Sequence, residues 1–125
     1  MAKAKLDPGA AAFPQAHSCC VPSRLASAFG LLQEKWALSI VYVLLRGPNG
    51  FNDVGRGAGA VNSATLVQRL SRLERAGLGR KTVRSTMPPR TTYELTESGR
   101  ALEPVIDALA KWSERFGLGE LGGRD

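Results

Sequence analysis

Six side chains between Asn62 and Arg72 have the chemistry to read a nucleic acid. Asn62, Ser63, Thr65, Gln68, Arg69 and Arg72 bring amide, hydroxyl and guanidinium groups together in one short segment. Gln and Arg can pair bidentately with base edges, and short residues at a helix start allow close approach in a major groove. Arg84 and Arg90 flank a Met87-Pro88-Pro89 stretch, a placement suited to phosphates or the minor groove. The other reactive set is the adjacent pair Cys19 and Cys20, with His17 nearby. Those three could ligate zinc or a soft metal ion, but no spaced partner motif accompanies them, so no metal is expected. No nucleophile–base pair, metal motif or phosphate loop occurs. Neither catalysis nor a cofactor is therefore expected.

These groups need elements to hold them. Leu66, Leu70 and Leu73 recur at i, i+4 and i+7, which predicts a helix with one apolar stripe. Asn62 is placed to cap its start and Gly77 its end. Phe51 to Ala58 reads as a short preceding helix, weakened by Gly55 and Gly57 at about 1 kcal/mol each relative to Ala. Gly59-Ala60 turns between the two, which is the order of a helix-turn-helix. Arg80–Ser85 and Thr91–Leu95 are β-capable runs on either side of the prolines. They predict a hairpin with the prolines at its tip, decorated by Arg80, Lys81, Arg84 and Arg90. A basic hairpin directly after such a helix pair reads as a wing.

Thr96 and Glu97 are suited to open another helix. Leu102, Val105, Ile106, Leu109, Trp112 and Phe116 line it, and Pro104 should kink it or mark its true start. That stripe is wider than the terminal helix of a small monomer needs, so it reads as part core and part interface between copies. Upstream, Pro22 and Ser23 open a helix carrying Leu25, Phe29 and Leu32. Trp36 to Leu45 is apolar nearly all round and suits a buried helix or a buried strand. Its length, with no Gly or Pro before Gly47-Pro48, favours the helix. Arg46 to Gly50 reads as a turn. Residues 1–19 read as a flexible arm and 117–125 as a flexible tail.

The chain has 125 residues and a net charge of +6, consistent with one basic domain and a polyanionic partner. Between Asn62 and Arg100, eight basic residues (Arg69, Arg72, Arg75, Arg80, Lys81, Arg84, Arg90, Arg100) face three acids (Glu74, Glu94, Glu97), so five of the six net charges lie there. The first residues show no apolar signal-peptide core. The apolar run Trp36–Leu45 is too short to span a bilayer. A cytoplasmic protein, nucleoid-associated when bound and without membrane contact, is the expectation. Two adjacent cysteines do not make a disulfide framework.

Taken in order, several pieces resemble the HxlR-type, MarR-like winged helix-turn-helix transcriptional regulators of bacteria. They are Lys35-Trp36, then Phe51-Asn52-Asp53-Val54, then Leu66, Arg69-Leu70, Leu73-Glu74 and Gly77-Leu78. Pro88-Pro89-Arg90 follows, then Tyr93 to Thr96 with Gly99 and Leu102, then Trp112. The resemblance covers about residues 20–115 and resides in order and spacing. The expected fold is mostly α with a small β-hairpin (α+β), a winged helix-turn-helix DNA-binding domain over residues 20–116. Within it the helix-turn-helix would span about 51–77, the wing about 79–95 and a C-terminal dimerisation helix about 97–116.

The resemblance implies a homodimer on a pseudo-palindromic operator in double-stranded DNA that represses or activates a nearby gene, and a repressor is the expectation here. N- and C-terminal helices would form its interface, with Leu25, Phe29, Leu102, Ile106, Leu109, Trp112 and Phe116 in it. Asn62, Ser63, Thr65, Gln68, Arg69 and Arg72 would face bases or phosphates, and Arg84 and Arg90 would serve the wing. Gly50 stands where the family commonly has Arg, which would remove one phosphate contact. The small turn residues Gly57 to Ala60 would loosen the helix pair.

Many such regulators also carry a cysteine just before the first helix that senses oxidants or electrophiles. Cys20, with Cys19 beside it, lies two or three residues ahead of that place. A thiolate near a helix N-terminus gains from the dipole, and Arg24 could add to this. The reactive product would be a mixed disulfide or a bond between two copies; the bland alternative is two ordinary reduced thiols. A second functional reading is a winged-helix module that binds protein or RNA without a redox switch, because fold alone does not fix function.

Overall fold

A computed structural model of the chain describes residues 20–117. His17, Cys19, the rest of the N-terminal arm and residues 118–125 lie outside the described residues. The chain divides into two units, one ending at Glu34 and one beginning at Lys35. The first contains α1, Ser23–Leu32, with Pro22 as its N-cap residue. Proline suits that end because its missing N–H would have no intrahelical partner there. Along α1, Leu25 and Leu32 are half-buried and Phe29 is exposed.

The second unit runs α2 (Ala37–Leu45), β1 (Asn49–Gly50), α3 (Phe51–Gly59), α4 (Ser63–Arg75), β2 (Gly79–Arg84), β3 (Arg90–Leu95), α5 (Glu97–Arg100) and α6 (Glu103–Arg115). The segment with two readings is a helix. Ala37, Ile40, Val41, Val43 and Leu44 of α2 are all buried, and that burial outweighs the modest helix cost of β-branched residues. Trp36, expected inside this helix, instead precedes it in the left-handed region at φ 77°. Such a conformation is strained for a bulky residue, and its ring is packed against Gly59 at the end of α3.

The sheet is antiparallel with three strands in the order β1-β3-β2. The expected turn over Arg46–Gly50 is thus corrected at its end, where Asn49 pairs with Tyr93 and Gly50 with Thr92. The β-structure is a hairpin plus this short edge strand. The core gathers Ile40, Val41, Val43, Leu44, Val54, Ala58, Leu66, Leu70, Leu73 and Leu95. Two glycines of α3 stand at close approaches to other helices. A Cβ on Gly57 would stand 3.1 Å from Val43 of α2, and one on Gly55 would stand 3.0 Å from Leu66 of α4. Their bareness lets α3 approach both neighbours.

The break at Pro104 is as expected. The chain turns at Ala101 and Leu102, and Pro104 sits in the first turn of α6. The stripe beyond it divides in two. Leu102 and Ile106 pack against the core, whereas Val105, Leu109, Trp112 and Phe116 are exposed. Leu102 and Ile106 therefore supply the core part of a stripe read as part core and part interface. Leu109 and Trp112 border an open apolar groove of about 470 Å³ with Leu38, Tyr42 and Ala58. No single helix among the described residues is long and apolar enough to cross a membrane.

Candidate nucleic-acid interface

Helix α4 is fixed at both ends by its own sequence. The Asn62 side-chain oxygen accepts the Thr65 N–H at 2.9 Å, as its capping role requires. Asn62→Ala should lower stability by about 1 kcal/mol, the usual worth of a polar N-cap; urea unfolding would measure it. At the other end, Leu78 N–H bonds the Leu73 carbonyl and Gly77 N–H the Glu74 carbonyl. With Gly77 at φ 80°, this is a Schellman motif, which satisfies the last carbonyls of the helix.

That helix end is also tied to the element after the wing. Thr96 Oγ1 and Ser98 Oγ both donate to the Gly77 carbonyl, at 2.6 and 2.9 Å. Thr96 N–H bonds the Leu78 carbonyl at 2.9 Å. Thr96 also caps α5 by accepting the Gly99 N–H. The end of α4, the root of the hairpin and the start of α5 therefore form one hydrogen-bonded joint.

On α4 the apolar stripe Leu66, Leu70 and Leu73 is buried. Ser63 and Gln68 are exposed, while Thr65, Arg69 and Arg72 are half-buried on the flank. Arg69 is engaged with the protein's own backbone. Its Nε donates to the Lys35 carbonyl at 2.7 Å, at the strained Trp36 junction. Sequence periodicity did not reveal this, because a helix-flank position reads the same whether it faces solvent or a neighbouring backbone. Periodicity also passed over Val67, which is exposed in the N-terminal half of α4.

The hairpin register sorts the basic residues. Arg80 lies opposite Glu94 and pairs with it at 2.9 Å, so its charge is locally balanced. Arg84 lies directly opposite Arg90 at the open end. Like charges so opposed destabilise a strand pair, an arrangement suited to a polyanion. Arg90 borders a polar cavity with Gly50, Asn52, Asp53 and Arg56, where Arg56 is ion-paired with Asp53. At the root of the wing, Tyr93 stacks obliquely on Phe51, centroids 6.5 Å apart. Burial, and then the Glu74 carboxylate, hold its phenol above the usual tyrosine range.

Cys20 is exposed and stands two residues before the Pro22 N-cap of α1. Among the described residues no cluster of three or more His, Cys, Asp or Glu could hold a metal.

Residues 31–120 match the HxlR-like helix-turn-helix family. The chain belongs to that family. Over 93 residues this HxlR-like protein is 31% identical to the HTH-type transcriptional regulator YodB of Bacillus subtilis, covering 74% of this chain and 83% of YodB. Its fold is similar to that of reduced B. subtilis YodB, with a TM-score of 0.69, 30% identity, and coverage of 78% of this chain and 95% of that one. It is also similar to the redox regulator HypR in its oxidised form, with a TM-score of 0.67, 28% identity, and coverage of 74% and 95%. Members of this family are transcriptional regulators of the helix-turn-helix type, a class that binds DNA. The winged-helix architecture read from the sequence is the architecture of these neighbours.

Proposed function

We propose that this chain forms a homodimer that binds a pseudo-palindromic operator and represses transcription there. In this reading α4 enters the major groove, and Ser63, Thr65, Gln68 and Arg72 reach base edges or phosphates. Asn62 positions the helix start close to the DNA backbone. Arg69 is a positioning residue that holds α4 to the Lys35 carbonyl. Arg84 and Arg90 lie along phosphates. The observation that carries the reading is this directly opposed arginine pair, on a hairpin tied to the end of a polar-faced helix. Exposed Leu109, Trp112 and Phe116 on α6 and Phe29 on α1 supply apolar surface for the partner copy. Leu109, Trp112 and Phe116 recur at i, i+3 and i+7 on one helix, which is more than scattered surface residues would explain.

The same dimer is switched by oxidants or electrophiles through Cys20, with Cys19 beside it. The support is the exposed position of Cys20 before α1 and the likeness to a redox regulator. Diamide would take two electrons and two protons from two thiols, leaving a disulfide and the hydrazine. A gel shift on DNA flanking the chain's own gene, with excess nonspecific competitor, tests this. The expected result is a specific shift with reduced protein that is lost after diamide and restored by reductant. A specific shift indifferent to diamide would remove the thiol switch and leave the operator reading. Absence of sequence preference on any DNA would favour a protein- or RNA-binding module.

A further inference from the structure

We propose that Val67 is a specificity determinant that reads the C5-methyl group of thymine. This deepens, and rests on, the operator reading above. Val67 is 55% exposed, although the leucine stripe of the same helix is buried. It lies roughly a quarter-turn away from that stripe, so the core does not account for it. Helix propensity does not account for it either, because a β-branched residue is a poorer helix former than Ala.

A single exposed valine is ordinary on a protein surface. The position of this one gives it meaning. It sits one turn inside the N-terminal end of α4, the part of a recognition helix that contacts base edges. Three of its four neighbours at helical spacing are small, Ser63 at i−4, Ala64 at i−3 and Ser71 at i+4, and the fourth, Leu70 at i+3, is buried. Ser63 and Ala64 are exposed. No long side chain at those positions stands between the valine methyls and a groove floor.

The major groove offers an apolar group at thymine alone, its C5-methyl. Against any other base edge, valine would cover a donor or acceptor without replacing its hydrogen bond to water, which costs free energy. Thymine is therefore the favoured occupant. Gln68, the next residue and exposed, is suited to an adjacent adenine through its N6 and N7.

The test starts by selecting duplexes from a random-sequence library with the full, reduced chain. In the best-bound duplex each thymine is then replaced singly by deoxyuridine, which removes only the methyl group. Wild type should lose affinity about four-fold at one thymine per half-site, the worth of one buried methyl group. Val67→Ala, which removes the contact from both half-sites, should bind the parent duplex about sixteen-fold more weakly and be indifferent to that same replacement. Its unfolding curve, matched to wild type, shows that the fold is intact. No thymine effect in wild type, or the same effect in both proteins, would overturn the inference while leaving the operator reading in place. No enrichment of any sequence would overturn the operator reading and this inference with it.

Discussion

Gly99→Ala is expected to destabilise the domain by about 3 kcal/mol or more, which lowers the thermal midpoint by about 12 °C. The cause is local and steric. Gly99 is buried in α5. A Cβ there would overlap the Leu78 carbonyl oxygen and stand 3.0 Å from Leu95 Cδ2. A flexible side chain could move aside, but a backbone carbonyl cannot. That carbonyl accepts the Thr96 N–H, and its neighbour at Gly77 accepts two hydroxyls. The methyl group must therefore spread the joint that holds the end of α4 against α5. Gly30→Ala is the contrasting control. Gly30 lies within α1, and a Cβ there meets nothing within 4 Å. That substitution should stabilise by about 0.5–1 kcal/mol through helix propensity. Circular dichroism melts of both variants would decide, and a wild-type midpoint for Gly99→Ala would disprove this account of the joint.

Operator affinity should fall about a thousand-fold between 50 and 200 mM salt, as expected if two copies together contact six or more phosphates. Arg84→Ala or Arg90→Ala should weaken binding to all sequences alike. Each should reduce the salt slope by about 1 per protomer, because a phosphate contact releases counterions and carries no sequence information. Arg80→Ala should change the slope less, since Arg80 is already paired with Glu94. Fluorescence anisotropy at four or five salt concentrations would measure this. Equal slopes for wild type and for both wing variants would show that the wing does not lie on phosphates.

The pattern of elements was largely legible because it depends on local rules. The leucine spacing and Asn62 mark out α4, and the prolines at 88 and 89 mark the tip of the hairpin. Thr96 and Pro104 locate the starts of the last helices. What stayed hidden depends on neighbours distant in sequence. Asn49-Gly50 carries no strand signal of its own and becomes a strand only because Thr92 and Tyr93 lie beside it. The α6 stripe has one period, yet Ile106 packs inward while Trp112 remains exposed. Periodicity gives a face its direction but does not say how far the core reaches along it. Of the candidate site, residue types were visible, but occupation was not. Arg69 and Arg80 look like their neighbours in sequence, and only tertiary contacts show one on a backbone carbonyl and the other on a carboxylate. Trp36 is a similar case, since nothing local predicts a left-handed tryptophan.

The joint at Gly77–Leu78 has a consequence for operator geometry. The end of α4, the hairpin root and the start of α5 share hydrogen bonds there, so in the operator reading proposed above the helix and wing are held to the start of α5. Helix α6 leaves that joint across the short turn at Ala101–Leu102. If two copies meet along α6, the tilt of that helix acts as a gear setting the separation of the two reading heads. Groove faces recur about every 34 Å, or 10.5 base pairs, so a displacement of a few ångströms takes both heads out of phase. The length of the spacer between half-sites would then be encoded in the packing angle of a helix that never touches DNA.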